Sequence, residues 1–176
     1  MATHYGNRPP QQGGYGYRND RAAPQAPTIQ VDDIRFSPIP KELFGDIAKE
    51  KAKKIWEAGL KRDREGKLLV DRSGNPQLEK NKLTQLRKFY DELVLWHDKV
   101  HLERSPQDKQ DKYDEVAPFI KMMKAKVAYA KGRDHVDSNF EKLIKHLVDE
   151  IKDVASLKHA KLFMEAFMGF YKAQEK

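Results

Sequence analysis

Cysteine is absent from this sequence, which excludes both a disulfide framework and a thiolate-ligated metal site. The 176 residues also lack any apolar run close to the roughly 20 residues that a membrane-spanning helix needs. The first 20 residues contain no apolar core of the kind found in secretory signals. These absences predict a cytoplasmic protein that does not associate with a membrane.

Strand-like alternation of apolar and polar residues is nearly absent, and we identify no internal repeat. Residues 1–36 are rich in Gly, Pro, Gln, Asn and Tyr, a composition that buries too little apolar surface to offset the entropy of ordering. We therefore expect a disordered low-complexity tail over 1–36 and a helical domain over 37–176. The domain is predicted to be all-α, a compact bundle of about five helices.

Several segments carry the apolar spacing of three and four residues that is typical of amphipathic helices. The stretch "NKLTQLRKFYDELVLWHDKVHLE" predicts a long helix with Thr84 as its N-cap. Pro118 stands where a further helix begins, and Ser138 with Glu141 forms a candidate capping box. The last stretch, "LKHAKLFMEAFMGFYKA", is apolar around much of its circumference and should be central in the bundle or shared with a neighbour. The segment "GKLLVDRSGNPQL" is compatible with either a small hairpin or an ordered loop.

Acidic residues are missing from Val116 to Arg133, although the chain as a whole is rich in Asp and Glu. Within this stretch, "KMMKAKVAYAKGR" holds four lysines and one arginine. At 100° per residue, Lys126 and Arg133 lie on the side of Tyr129, at the edge of the apolar stripe. A solvated lysine-rich face is a common explanation, but such a face usually contains acids for i,i+4 pairing. Together with a net charge of +7, the pattern favours a polyanionic partner, with nucleic acid as the first candidate.

The stretches "LTQLRKFYDEL", "FIKMMKAKVAYAKGR" and "AKLFMEAFMGFYKA" resemble, in this order, three stretches of the small subunit of the type III-A CRISPR effector, the Csm complex. The resemblance implies a non-catalytic subunit in antiviral defence. It also implies that the subunit binds the backbone of crRNA and of single-stranded target RNA. Its protein partners would be the repeated backbone subunits, the large polymerase-like subunit and further copies of itself. The candidate RNA-binding residues, from these motifs and the basic helix ends, are Lys82, Gln85, Arg87, Lys88, Lys121, Lys124, Lys126, Tyr129, Arg133 and Lys172.

Two alternatives remain open: the small subunit of the related type III-B (Cmr) complex, and a helical protein–protein adaptor that does not contact RNA. The "AYAKGR" ending favours type III-A over type III-B.

The sequence gives little support for a metal site or for catalysis. His97 and His101 have a spacing that can bind a metal, but no third ligand accompanies them. No nucleophile–base pattern or glycine-rich phosphate loop is present either. We expect no catalytic residue, no metal and no cofactor.

Overall fold

The computed structural model describes residues 28–174, and these residues form five α-helices that confirm the predicted all-α bundle. A π-helical turn, Leu43–Ile47, leads into the first helix. The helices are α1 (Ala48–Gly59), α2 (Leu83–His101), α3 (Pro106–Gly132), α4 (Ser138–Glu150) and α5 (Val154–Ala173). Within the described residues, no helix is both long and apolar enough to cross a membrane.

Helix α5 lies at the centre, as its apolar circumference predicts. It packs against α1 and α2 on its two main sides and also touches α3 and α4. Phe163, Phe167 and Tyr171 are completely buried along it. Each such side chain stabilises the fold by about 1.5–3 kcal/mol through burial. Helix α3 lies on the outside of the bundle, between α2 and α4, so one of its faces remains in solvent.

The predicted tail boundary at residue 36 is wrong, because residues 28–36 pack on the core. Four apolar side chains in this short segment are buried: Ile29, Val31, Ile34 and Phe36. Asn139 accepts a hydrogen bond from the Ile29 N–H, and the Lys142 ammonium donates to the Ile29 carbonyl. The polar composition of the whole region masked this local apolar cluster. The remainder of the predicted tail, residues 1–27, lies outside the described residues.

Helix α3 begins twelve residues earlier than Pro118 suggests. Ser105 is its N-cap and forms a capping box with Asp108, while Pro106 occupies the first helical turn. Pro118 lies inside the helix, where it lacks an N–H to donate. The capping box and the proline at the first turn fix the start, so the polar stretch before Pro118 is helix and not loop.

Two other predicted helix starts are also wrong by one or two residues. The N-cap of α2 is Lys82 and not Thr84, and it makes no side-chain capping hydrogen bond. The N-cap of α4 is Asp137, whose carboxylate accepts a hydrogen bond from the Phe140 N–H. Ser138 is therefore the first residue of α4. The preceding Asp137 has extended backbone geometry and takes the capping role.

Residues 60–78, which we call the twin-turn segment, form two copies of one turn, so the prediction of no internal repeat is wrong. The copies are "DREGK" (63–67) and "DRSGN" (71–75). In each, the Asp carboxylate accepts hydrogen bonds from the backbone N–H groups two and four residues later. Each glycine has a positive φ, +85° at Gly66 and +84° at Gly74, which glycine adopts without steric strain.

Candidate nucleic-acid interface

Helices α2 and α3 run side by side and leave a trough between them on the solvent side. Its volume is about 430 Å³. The lining residues are Gln85, Lys88, Phe89, Glu92, Lys126, Tyr129, Ala130, Arg133 and His135. The two helices contribute these residues at spacings of three and four, so each helix presents one continuous stripe to the trough.

The trough brings together half of the ten candidate residues named from the sequence. Gln85 and Lys88 come from the first half of α2, while Lys126, Tyr129 and Arg133 come from the last turns of α3 and its C-cap. The basic end of α3 therefore meets the first half of α2 in one trough. That these residues bind RNA stays a prediction.

The other five candidates do not line the trough. Arg87 is exposed on α2 and lies 3.7 Å from Asp91 of the same helix. Lys124 points towards α4 and forms an ion pair with Asp149. The remaining three are exposed at other places: Lys82 before α2, Lys121 on α3 and Lys172 in the last turn of α5.

Carboxylates of the neighbouring helices partly neutralise the cations of α3. The absence of acids from the sequence of α3 therefore does not leave its lysines without partners, as the sequence suggested. Lys126 donates to Glu92 of α2 at 2.6 Å, and Lys131 lies 2.9 Å from Glu141 of α4. With the Lys124 pair, three of the four lysines in 121–133 find a carboxylate. Such pairs are worth little at the surface, about 0–1 kcal/mol, so an anionic ligand can compete for the exposed lysines.

Tyr129 and Arg133 form a preorganised pair at one end of the trough. The Arg133 guanidinium donates a hydrogen bond to the Tyr129 hydroxyl at 2.9 Å and lies 5.7 Å from the centre of its ring. The ring is 65% exposed, which is unusual for an aromatic side chain and leaves it accessible. Arginine can contact phosphate through two N–H groups, and an exposed tyrosine can stack on a base.

Among the four lining residues that were not candidates, two are polar. Glu92 is its acid, and its side chain is only 15% exposed beside Lys126. Its position four residues after Lys88 on a helix is a signal that could have placed it on this stripe. His135 reaches the trough from the loop after α3, where helical spacing gives no signal.

His97 and His101 stack on each other, with ring centres 4.0 Å apart. The Nδ1 atom of each is within hydrogen-bond distance of a neighbour, Asp98 for His97 and the His97 carbonyl for His101. Burial holds the pKa of His101 below its ordinary value, which favours the neutral ring. No group of three potential metal ligands occurs among residues 28–174, and the absence of a metal stays a prediction.

Comparison with known protein families gives one match: the family model described as Csm2 Type III-A matches residues 63–176. The matched region includes the twin-turn segment from Asp63 onwards, α2, the trough and α5. The chain belongs to this family. It is therefore a small subunit of the type III-A Csm complex, a class of non-catalytic subunits. Comparisons with the curated proteins and with the solved structures returned no match.

The family match decides one of the two alternatives that the sequence left open. It identifies the type III-A complex and not the type III-B complex, in agreement with the "AYAKGR" ending. It also implies that the protein assembles with the other subunits of a Csm complex. The segment of residues 28–36 and helix α1 precede the matched region.

Proposed function

We propose that this Csm small subunit binds the sugar-phosphate backbone of crRNA-paired and single-stranded target RNA in the trough between α2 and α3. The observation that carries the proposal is the convergence of Lys88, Lys126 and Arg133 around an exposed aromatic ring. Three cations face a single acid, Glu92, so the trough has an excess of positive charge.

The proposed binding does not depend on the RNA sequence. Lysine and arginine neutralise phosphates and release counterions, which supplies affinity without reading bases. In RNA-guided effectors, sequence is read by pairing between guide and target. The subunit then adds affinity for the backbone in antiviral defence in the cytoplasm, and its role is binding without catalysis.

Assembly is the second part of the proposal. Apolar side chains are exposed on the same two helices beyond the trough: Leu95 on α2, and Phe119 and Met122 on α3, each 48–49% exposed. Phe119 also stacks on Trp96, with ring centres 5.5 Å apart. Burying such side chains against another protein is favourable, and this supports contact with the backbone subunits, the large subunit or further copies.

The test of RNA binding uses the full chain and fluorescein-labelled oligouridylate, with affinity measured by fluorescence anisotropy over a range of salt concentrations. The affinity falls as salt rises, so a plot of log K for association against log salt concentration has a negative slope. In the double variant Lys88→Gln and Arg133→Gln, we expect this slope to become shallower by about 1.4. This value corresponds to two lost phosphate contacts at about 0.7 each.

A matched control removes the same charge from the opposite end of the molecule. Lys152 and Lys158 are exposed and form no ion pair within residues 28–174. The Tyr113 hydroxyl donates to the Ile151 carbonyl, which places Lys152 beside the first half of α3, away from Arg133. Lys158 is close enough to His101, at the end of α2, to interact with its charge, and this end of α2 is distant from Gln85 and Lys88. Equal losses in the Lys152→Gln/Lys158→Gln variant and in the trough variant would show that only net charge matters, and would refute a site in the trough.

A further inference from the structure

The twin-turn segment is held together by a closed ring of three backbone hydrogen bonds. The Lys61 N–H donates to the Gln77 carbonyl, the Leu69 N–H to the Lys61 carbonyl and the Gln77 N–H to the Leu69 carbonyl. These residues are eight apart, the same interval that separates the two turns. The ring fixes the two turns relative to each other, so the residues at equivalent positions are held in a defined arrangement.

Arg64 and Arg72 occupy the same position in the two turns, directly after the aspartate. Both are exposed, and neither forms an ion pair in the part of the chain that the structure describes. Lys61 and Lys67 are exposed and unpaired in the same way. This differs from the helical lysines of α1 and α3, several of which have carboxylate partners.

The aspartates of the turns do not neutralise these arginines by direct pairing. One oxygen of Asp63 accepts the N–H groups of Glu65 and Lys67, each at 2.9 Å. Asp71 makes the equivalent bonds with Ser73 and Asn75 at 2.8 and 2.9 Å. Because the carboxylates are directed at backbone amides, the guanidinium groups stay available for an external anion.

The base of the segment is attached at the Arg133 end of the trough. Lys80 forms an ion pair with Asp134 at 2.6 Å, and the Asn81 N–H donates to the His135 carbonyl at 3.0 Å. Asp134 and His135 directly follow Arg133 in the chain. An RNA strand that leaves the trough at this end therefore meets the base of the twin-turn segment next.

We propose that the twin-turn segment is a second contact for the RNA backbone, in which Arg64 and Arg72 bind phosphates as the strand continues beyond Arg133. This inference rests on the proposed function of the trough. Arginine suits the task because its planar fork donates two hydrogen bonds to one phosphate. The backbone ring fixes the spacing of the two positions, and the planar guanidinium loses less side-chain entropy per hydrogen bond than a lysine ammonium does.

The test uses the full chain and labelled oligouridylate long enough to cover both surfaces, again with anisotropy at several salt concentrations. For Arg64→Gln/Arg72→Gln we expect the slope of log K against log salt concentration to become shallower by about 1.4, which corresponds to two lost phosphate contacts at about 0.7 each. At 0.1 M salt, this slope change corresponds to a loss of up to roughly 25-fold in affinity. Arg64→Lys/Arg72→Lys keeps both charges and should keep most of the slope, and the Lys152→Gln/Lys158→Gln variant serves as the control for net charge.

The outcomes separate this inference from the function of the trough. If the wild type binds, the trough variant weakens binding and Arg64→Gln/Arg72→Gln matches the Lys152/Lys158 control, the twin-turn contact is refuted and the trough stands. If the trough variant also matches that control, the proposed function itself fails. Circular dichroism that matches the wild type for every variant confirms that the losses do not come from unfolding.

Discussion

Replacing Glu92 by glutamine should strengthen RNA binding, which few substitutions in a binding site do. Glu92 is the acid of the trough, and its carboxylate holds the Lys126 ammonium at 2.6 Å. The side chain is mostly buried, so its charge is poorly screened by water. Glutamine has nearly the same shape and keeps an oxygen to accept the Trp96 indole N–H, which lies 3.4 Å away.

The expected gain follows from the number of cations that the substitution releases. Without the carboxylate, Lys126 is free to neutralise one more phosphate, which steepens the salt slope by about 0.7 for a single strand. At 0.1 M salt, this corresponds to about fivefold tighter binding, or about 1 kcal/mol. The loss of the ion pair itself lowers the stability of the fold by about 1 kcal/mol, because water reaches nearly half of the Lys126 side chain.

Asp91→Asn is the matched control for Glu92→Gln. It removes one negative charge from the adjacent position of the same helix, and Asp91 lies near Arg87, outside the trough. Anisotropy titrations of both variants against oligouridylate should show the gain for Glu92→Gln only. Equal gains would mean that net charge alone governs binding. Unchanged binding by Glu92→Gln would mean that Lys126 does not reach the RNA, and weaker binding would mean that the Glu92–Lys126 pair itself supports the site.

Three further predictions concern stability. Asn81→Ala should lower the free energy of unfolding by about 3 kcal/mol in urea denaturation, because it leaves the Ile55 carbonyl and the Asp137 N–H without their partner. Asp33→Ala should destabilise the protein more than Lys51→Met in the same assay, since it leaves the 1% exposed Lys51 ammonium with only Glu50, at 3.3 Å, as a partner; equal losses would contradict a cost of weakening the pairing of this buried charge. The pKa of Asp153 is lowered by the hydrogen bond from the Ser156 N–H, so its contribution is present above pH 3.8 and lost as the pH falls further. Asp153→Ser should keep the cap without that acid-dependent loss.

Helices α2 and α5 could be predicted from the sequence because their apolar spacing is regular and burial decides their orientation. Leu86, Leu93 and Val100 of α2 are buried as the stripe requires. The trough side of α3 was also predictable, since rotation by 100° per residue places Lys126, Tyr129 and Arg133 together. Short-range periodicity is sufficient wherever a property belongs to a single helix.

The partners of the cations could not be predicted in the same way. Glu92 meets Lys126 only because α2 and α3 are aligned in one register, and Glu141 meets Lys131 only because α4 packs beside α3. Such contacts depend on the packing of whole helices and leave no local signal. The repeated turns, by contrast, have a local signal in the two "DR-x-G" motifs, which a search at a period of eight residues would have detected.

The distribution of ion pairs argues that cations of this protein differ in their availability. Lys124 and Lys131 are held by carboxylates of α4, on the side of α3 that packs within the bundle, and these pairs fasten two helices together. Arg64 and Arg72 have no such partner within residues 28–174, and the acids beside them are occupied by backbone amides. The charge that fastens α4 to α3 is thus neutralised internally, whereas the two arginines of the twin-turn segment are available to an RNA strand.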